Sequence, residues 1–205
     1  MVYNNFIIRL LTSVFFILIY SIISLTNFNL VFYIILLIYL LILVEIYLYF
    51  IKLKILALCY LALSFIFFLF IDFNNTSFVS FNLFILVIIF FDIFSYLFGK
   101  SIGKNKLINI SPNKTIEGFI GGYIITLLLS IFTFYFFDSN FSIYTIILIF
   151  ILILSAFIGD IIESFFKRKN NLKNSSELIP GHGGVFDRFD SFLFSIIIYS
   201  VSINL

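Results

Sequence analysis

The stretch from Gly159 to Asp190, GDIIESFFKRKNNLKNSSELIPGHGGVFDRFD, concentrates residue types that handle phosphate. If this stretch opens as a helix, Asp160, Ser164 and Lys167 stand at i, i+4 and i+7 and share one face. That face carries a carboxylate, a hydroxyl and an ammonium. Arg168 and Lys173 add positive charge. After Pro180 come Gly181, His182, Gly183 and Gly184, a flexible turn whose backbone N–H groups can approach a ligand closely. Asp187 and Asp190 follow at i and i+3, at the start of the last apolar segment, with Arg188 between them. Such carboxylates suit Mg²⁺, which takes oxygen ligands and shares them with substrate phosphates. Lysine and arginine neutralise phosphate charge that the metal does not reach, and the metal stabilises charge on a leaving group. Basic residues beside a membrane also satisfy topology and bind anionic lipid. That plainer reading explains the lysines, but not three aspartates and a glycine-rich turn among them.

An earlier stretch, DIFSYLFGKSIGKNKLINISPNKTIEGFIGG from Asp92 to Gly122, has a similar character. Ser111-Pro112 predicts a turn, and Thr115 can cap a helix opening near Glu117. For Lys114 and Glu117, a role in the site and ordinary helix-end charge fit the spacing equally. Gly118, Gly121 and Gly122 are expected to let a neighbouring helix pack closely. Asp92, Asp160 and Glu45 are acids within apolar segments, where burial is costly and function is the usual reason for it. An acid near a helix end can instead snorkel to the headgroups. Glu45, near the cytoplasmic end of the second span, could join the same site.

The elements that must position these residues are membrane helices. The chain has 205 residues, 63% hydrophobic and only 11% charged, against about a quarter charged in soluble domains. A helix needs about 20 apolar residues to cross the hydrocarbon core. Seven stretches qualify, at roughly 6–25, 30–51, 55–71, 80–98, 117–136, 142–162 and 189–205. The expected fold is therefore all-α, a polytopic bundle of about seven transmembrane helices in one integral membrane domain, 1–205. The helices of 1–80 form its variable part, and 81–205 carry the site with polar loops 99–116 and 163–188. The first apolar run lacks a small-residue cleavage site and is expected to be a retained helix. With seven alternating spans, all 12 Lys and Arg fall on one side. The excess of positive charge places that side, the site and the N-terminus in the cytoplasm, and the C-terminus outside. Cys59 excludes an internal disulfide because it is the single cysteine, and reads as a small packing residue. His182 is the single histidine, so a multi-histidine metal site is excluded.

The run from Ser164 through Lys167-Arg168 and Lys173 to HGGVFDRFD resembles the signature of the phosphatidate cytidylyltransferases (CDP-diacylglycerol synthases). Its S-x-x-K-R start and H-G-G-x-x-D-R-x-D end stand at that family's separation. SPNKTIEG is similar to a second recurring stretch of the family, Asp92 and Tyr96 to its D-x-x-x-Y element, and Gly159-Asp160 to its G-D. The likeness covers the C-terminal half well and the first 80 residues hardly at all. Two positions depart from the pattern: Asn174 where it has Asp, and Ser95 where it has Ala.

The resemblance implies a reaction in which CTP and phosphatidic acid give CDP-diacylglycerol and pyrophosphate, with Mg²⁺ and with or without a monovalent cation. It implies Asp160 and Asp187 as metal ligands, with Asp190 a further ligand or the group that orients Arg188. Lys167, Arg168, Lys173 and Arg188 would hold the phosphates, supplemented by Lys114. Ser164, His182, Gly183, Gly184, Asp92 and Glu117 would complete the substrate side. A homodimer in a bacterial inner membrane is expected, and a nucleic-acid partner is not. The alternative is a related CTP-dependent enzyme acting on another lipid phosphate or a polyprenol. A transporter would carry charges near the bilayer midplane and often repeated halves, whereas these charges gather at one face.

Overall fold

The computed structural model describes residues 15, 18–74, 78–108, 110–137, 142–179 and 183–204. Seven helical segments appear among them: α1 (18–26), α2 (Leu30–Tyr49), α3 (Lys54–Leu69), α4 (Phe78–Ile102), α5 (Ile116–Phe137), α6 (Ile143–Lys169) and α7 (Phe186–Ile203). The rest of the expected first span lies outside the described residues.

Four helices, α2, α4, α5 and α6, are long and apolar enough to cross a membrane, the architecture of an integral membrane protein. At 1.5 Å per residue, the 16 residues of α3 reach about 24 Å, short of the ~30 Å hydrocarbon core. Helix α7 carries Asp187, Arg188 and Asp190 in its first turns, which sets it apart from the four. Large apolar side chains such as Leu37, Leu40, Ile124, Leu128 and Phe132 point outward. Such a surface suits lipid and would be a liability in water.

The core is aromatic. Phe68, Phe73, Phe81, Phe84 and Tyr199 lie buried where α2, α3, α4 and α7 meet, and the Phe84 and Tyr199 rings stack at 4.3 Å. Buried hydroxyls add specific ties. The Tyr39 and Ser64 hydroxyls lie 2.6 Å apart, Ser64 donates to the Leu193 carbonyl at 2.7 Å, and Ser155 donates to Ser195 at 2.9 Å. Among apolar helices such bonds fix register that greasy contact alone leaves loose.

Helices α4 and α5 form the most extensive pairing. Gly118 and Gly122 make it possible: a Cβ on Gly122 would lie 2.7 Å from the Ser95 backbone, and one on Gly118 would lie 2.8 Å from Gly99 Cα. Ser95 stands at this close approach, its own Cβ 2.9 Å from where a Gly122 Cβ would lie.

Two segments read as loops are partly regular. Residues 99–116 begin with the last turn of α4 and continue into an antiparallel hairpin, β1 (Lys106–Ile108) with β2 (Ser111–Thr115). Three- and five-residue strands are too short to show a period-two pattern in sequence. Residues 163–188 begin with the last two turns of α6, because Ile161, Ile162, Phe165 and Phe166 continue an apolar face that lines a groove of about 670 Å³ against α3. Cys59 of α3 borders that groove and is exposed rather than packed away.

The turn between α2 and α3 is clasped to the end of α6. Asn170 Oδ1 accepts from the Ile51 and Lys52 N–H groups at 2.8 and 2.7 Å. Its Nδ2 donates to the Lys52 and Phe166 carbonyls at 3.0 and 2.9 Å.

Candidate functional site

The site face of α6 follows from helical spacing: Asp160, Glu163, Ser164 and Lys167 recur at i, i+3, i+4 and i+7 and turn toward α7. Gly159 brings α7 close at this point, since a Cβ there would lie 3.1 Å from both Ser191 Cα and Phe194 Cβ. That approach sets Asp190 beside Asp160. One carboxylate oxygen each from Asp160, Glu163 and Asp190 fall within 4.8 Å of one another, a spacing able to hold a metal ion. Three hard oxygen donors with no nitrogen or sulfur suit Mg²⁺ or a similar cation.

Two ammonium groups meet this acidic cluster. Lys114, at the end of β2, pairs with Asp160 Oδ2 at 2.5 Å, and its Nζ stands 5.4 Å from the centre of the Phe157 ring. Lys167 bridges α6 to α7, with Nζ 2.8 Å from Glu163 Oε2 and 2.8 Å from Asp187 Oδ1. The Glu163 side chain is 1% exposed. A carboxylate that deep needs a cation or a hydrogen-bond donor to offset lost hydration.

Asp187 is held from several sides. Besides Lys167, its Oδ2 accepts from the Ser175 N–H at 2.9 Å and the Gly184 N–H at 3.0 Å. The neighbouring Gly183 adopts φ +89° and pairs with Ile179 across a single bridge. A side chain is disfavoured there by backbone conformation, and also by space, because a Cβ would lie 2.7 Å from Asp187 Oδ2. The glycine-rich turn thus presents its backbone to a carboxylate of the chain itself.

Asp92 of α4 reaches the cluster through Ser191, whose hydroxyl donates to its Oδ1 at 3.2 Å. Asp190 Oδ1 accepts from the Ser191 N–H at 2.7 Å. Ser164 is buried on the site face of α6. Arg168 is exposed and its Nε donates to the Ile110 carbonyl at 3.3 Å, tying α6 to the hairpin turn. Lys173 and Arg188 are exposed. His182 lies outside the described residues.

Glu117 stands apart from the acidic cluster. Its carboxylate accepts from the Lys104 N–H at 3.1 Å and from the Asn105 side chain at 2.8 Å, organising the approach to the hairpin. Thr115 caps α5 as its position predicts, accepting from the Gly118 N–H at 3.1 Å.

Glu163 is the site residue that sequence reasoning passed over. Its spacing from Asp160 and Lys167 on one helix was the available signal. Glu45 also joins the site region: fully buried in α2, it accepts hydrogen bonds from the N–H groups of Val185 and Phe186 at the start of α7.

Comparison with known proteins gives this arrangement a context. Over 112 residues the chain is 51% identical to the phosphatidate cytidylyltransferases of Staphylococcus haemolyticus and Staphylococcus aureus strain COL. It is 47% identical over the same length to that of Staphylococcus saprophyticus. Each match takes in 53% of this chain and 43% of the relative, so the chain spans less than half the length of these curated relatives within the match. The model of the cytidylyltransferase family matches residues 2–205, and the chain belongs to that family.

Proposed function

We propose that the chain catalyses condensation of CTP with phosphatidate to give CDP-diacylglycerol and pyrophosphate. The observation that carries this reading is the cluster of Asp160, Glu163 and Asp190, flanked by the paired ammonium groups of Lys114 and Lys167. Its occurrence in a chain matched along residues 2–205 by the cytidylyltransferase model supports it.

In this reaction a phosphate oxygen of phosphatidate bonds to the α-phosphorus of CTP. The bond from that phosphorus to the bridging oxygen of the β-phosphate breaks, and pyrophosphate leaves. The attacking oxygen is already ionised near neutral pH, so no side chain is assigned as general base.

Asp160, Glu163 and Asp190 would hold Mg²⁺, with Asp187 a further candidate ligand. Magnesium bound there supplies neutralisation of phosphate charge and stabilisation of the departing pyrophosphate. Lys114 and Lys167 orient phosphate oxygens at the rim of the carboxylate cluster, each giving up a carboxylate partner to do so. Arg168, Lys173 and Arg188 lie on the exposed side, where they attract the CTP triphosphate. The Gly183–Gly184 turn positions Asp187 and shapes the nucleotide side together with His182. The basic loops face the cytoplasm of a bacterial plasma membrane, so CTP enters from water and the lipid phosphate arrives sideways from the inner leaflet.

The test is magnesium- and CTP-dependent formation of CDP-diacylglycerol in membranes containing the chain, beside an Asp160→Asn variant. The variant is expected to lose at least about a hundredfold in rate, roughly 2.7 kcal/mol of barrier. Product formed by Asp160→Asn at the native rate would contradict the assignment of the cluster.

A further inference from the structure

We infer that Glu45 is a positioning residue for the site, reaching from α2 to fix the first turn of α7 and, through it, Asp187 and Asp190. The inference rests on the function proposed above for its effect on catalysis, but not for its effect on the fold of the segment.

Glu45 lies near the end of an otherwise apolar helix and is 0% exposed. A carboxylate buried this way is strongly unfavourable unless donors surround it. Four do. Its Oε1 accepts from the Ser176 hydroxyl at 2.6 Å and the Val185 N–H at 2.7 Å. Its Oε2 accepts from the Phe186 N–H at 2.9 Å and the Ser175 hydroxyl at 3.1 Å.

The two backbone donors explain the need. The first N–H groups of a helix have no intrahelical acceptor, and an oxygen-bearing side chain at the N-cap usually serves them. Helix α7 has Val185 at that position, and no side-chain cap bond is made there. Glu45 supplies the missing acceptor from another helix, and its negative charge suits the positive end of the α7 dipole.

The same bonds lead directly to the site. Ser175 gives its hydroxyl to Glu45 and its N–H to Asp187 Oδ2. Gly184 gives its N–H to Asp187, while the next two N–H groups go to Glu45. Two carboxylates therefore divide one short stretch of backbone between them. Asp187 in turn holds Lys167, which holds Glu163. Displacement of the α7 terminus by a fraction of its hydrogen-bond length would move every one of these groups, and misplacement by about 1 Å is enough to cost on the order of a hundredfold in rate.

Glu45→Gln tests this with little change in volume. Whichever way the amide turns, its NH₂ group faces one backbone N–H, Val185 or Phe186, that is left without its acceptor. In detergent-purified protein, hydrogen exchange of the backbone amides in a peptide covering 183–189 is expected to quicken by at least about tenfold, while a peptide from the middle of α5 is unchanged. At saturating CTP and phosphatidate, kcat is expected to fall at least about tenfold with KM for CTP altered by no more than about threefold. Should Glu45→Gln fail to insert and fold, the double variant Ser175→Ala, Ser176→Ala removes two donors, leaves the carboxylate, and carries the same exchange measurement with a smaller expected rise. Unchanged exchange in 183–189, whatever the activity, overturns the inference, as does faster exchange with kcat unaltered. If the native chain makes no CDP-diacylglycerol, the proposed function fails while the exchange measurement still decides whether Glu45 fixes α7.

Discussion

At Gly183, backbone and side-chain demands coincide: φ is +89°, and the space a Cβ would fill belongs to Asp187 Oδ2. A left-handed conformation costs a non-glycine residue roughly 1–2 kcal/mol. Gly183→Ala is therefore expected to lower stability by at least that amount, read as a fall in thermal midpoint of the detergent-solubilised protein. An unchanged midpoint would show that the turn relaxes freely. Residue types announced much of this site in advance. Asp160, Lys167, Asp187 and Asp190 are legible because charged residues are rare in so apolar a chain and their spacing is helical. Glu163 was legible in principle, at i+3 from Asp160 and i−4 from Lys167 on the same helix face. The pairing of Lys114 with Asp160 joins residues far apart in the chain, and no local pattern encodes it. Asn174, in the place of an expected Asp, is exposed and has its Cβ 3.3 Å from where a Gly183 Cβ would lie, so it packs beside the glycine turn.

Among the elements, the pairing of α4 with α5 positions Asp92 on one side and Lys114 on the other. It depends on backbones that approach without Cβ atoms between them. Gly122→Ala would place a methyl group 2.7 Å from the Ser95 backbone, an overpacking that costs about 1–3 kcal/mol. Ile124→Ala, on the same helix but half exposed toward lipid, is the control and is expected to change stability by less than half as much. Equal effects would mean that the close approach does not hold the pair together. Apolar runs predicted most of the helices well, since length and hydropathy are local quantities. Their ends were harder. Helix α6 extends to Lys169 because its groove-facing side chains stay apolar after the other face turns polar. The β1–β2 hairpin, stabilised by Glu117 and the Asn105 carbonyl, rests on contacts that only the folded chain makes.

For the molecule as a whole, charge distribution is the feature that bears on orientation in a membrane. Lys104, Lys106 and Lys114 lie at the hairpin end and Lys167, Arg168 and Lys173 at the end of α6. If this side faces the cytoplasm, Lys104→Cys in a Cys59→Ser background is expected to react with a membrane-impermeant maleimide only after cells are opened. Labelling in intact cells would reverse the proposed orientation. Cytidylyl transfer breaks the bond between the α- and β-phosphates of CTP, and the position of a radioactive phosphorus reports that most directly. With purified chain, Mg²⁺ and phosphatidate, label placed at the α-phosphorus of CTP is expected in the lipid product, and label placed at the γ-phosphorus in pyrophosphate. Lipid that acquires the γ-label instead, or no lipid labelling from a folded chain at saturating substrates, would contradict cytidylyl transfer to phosphatidate.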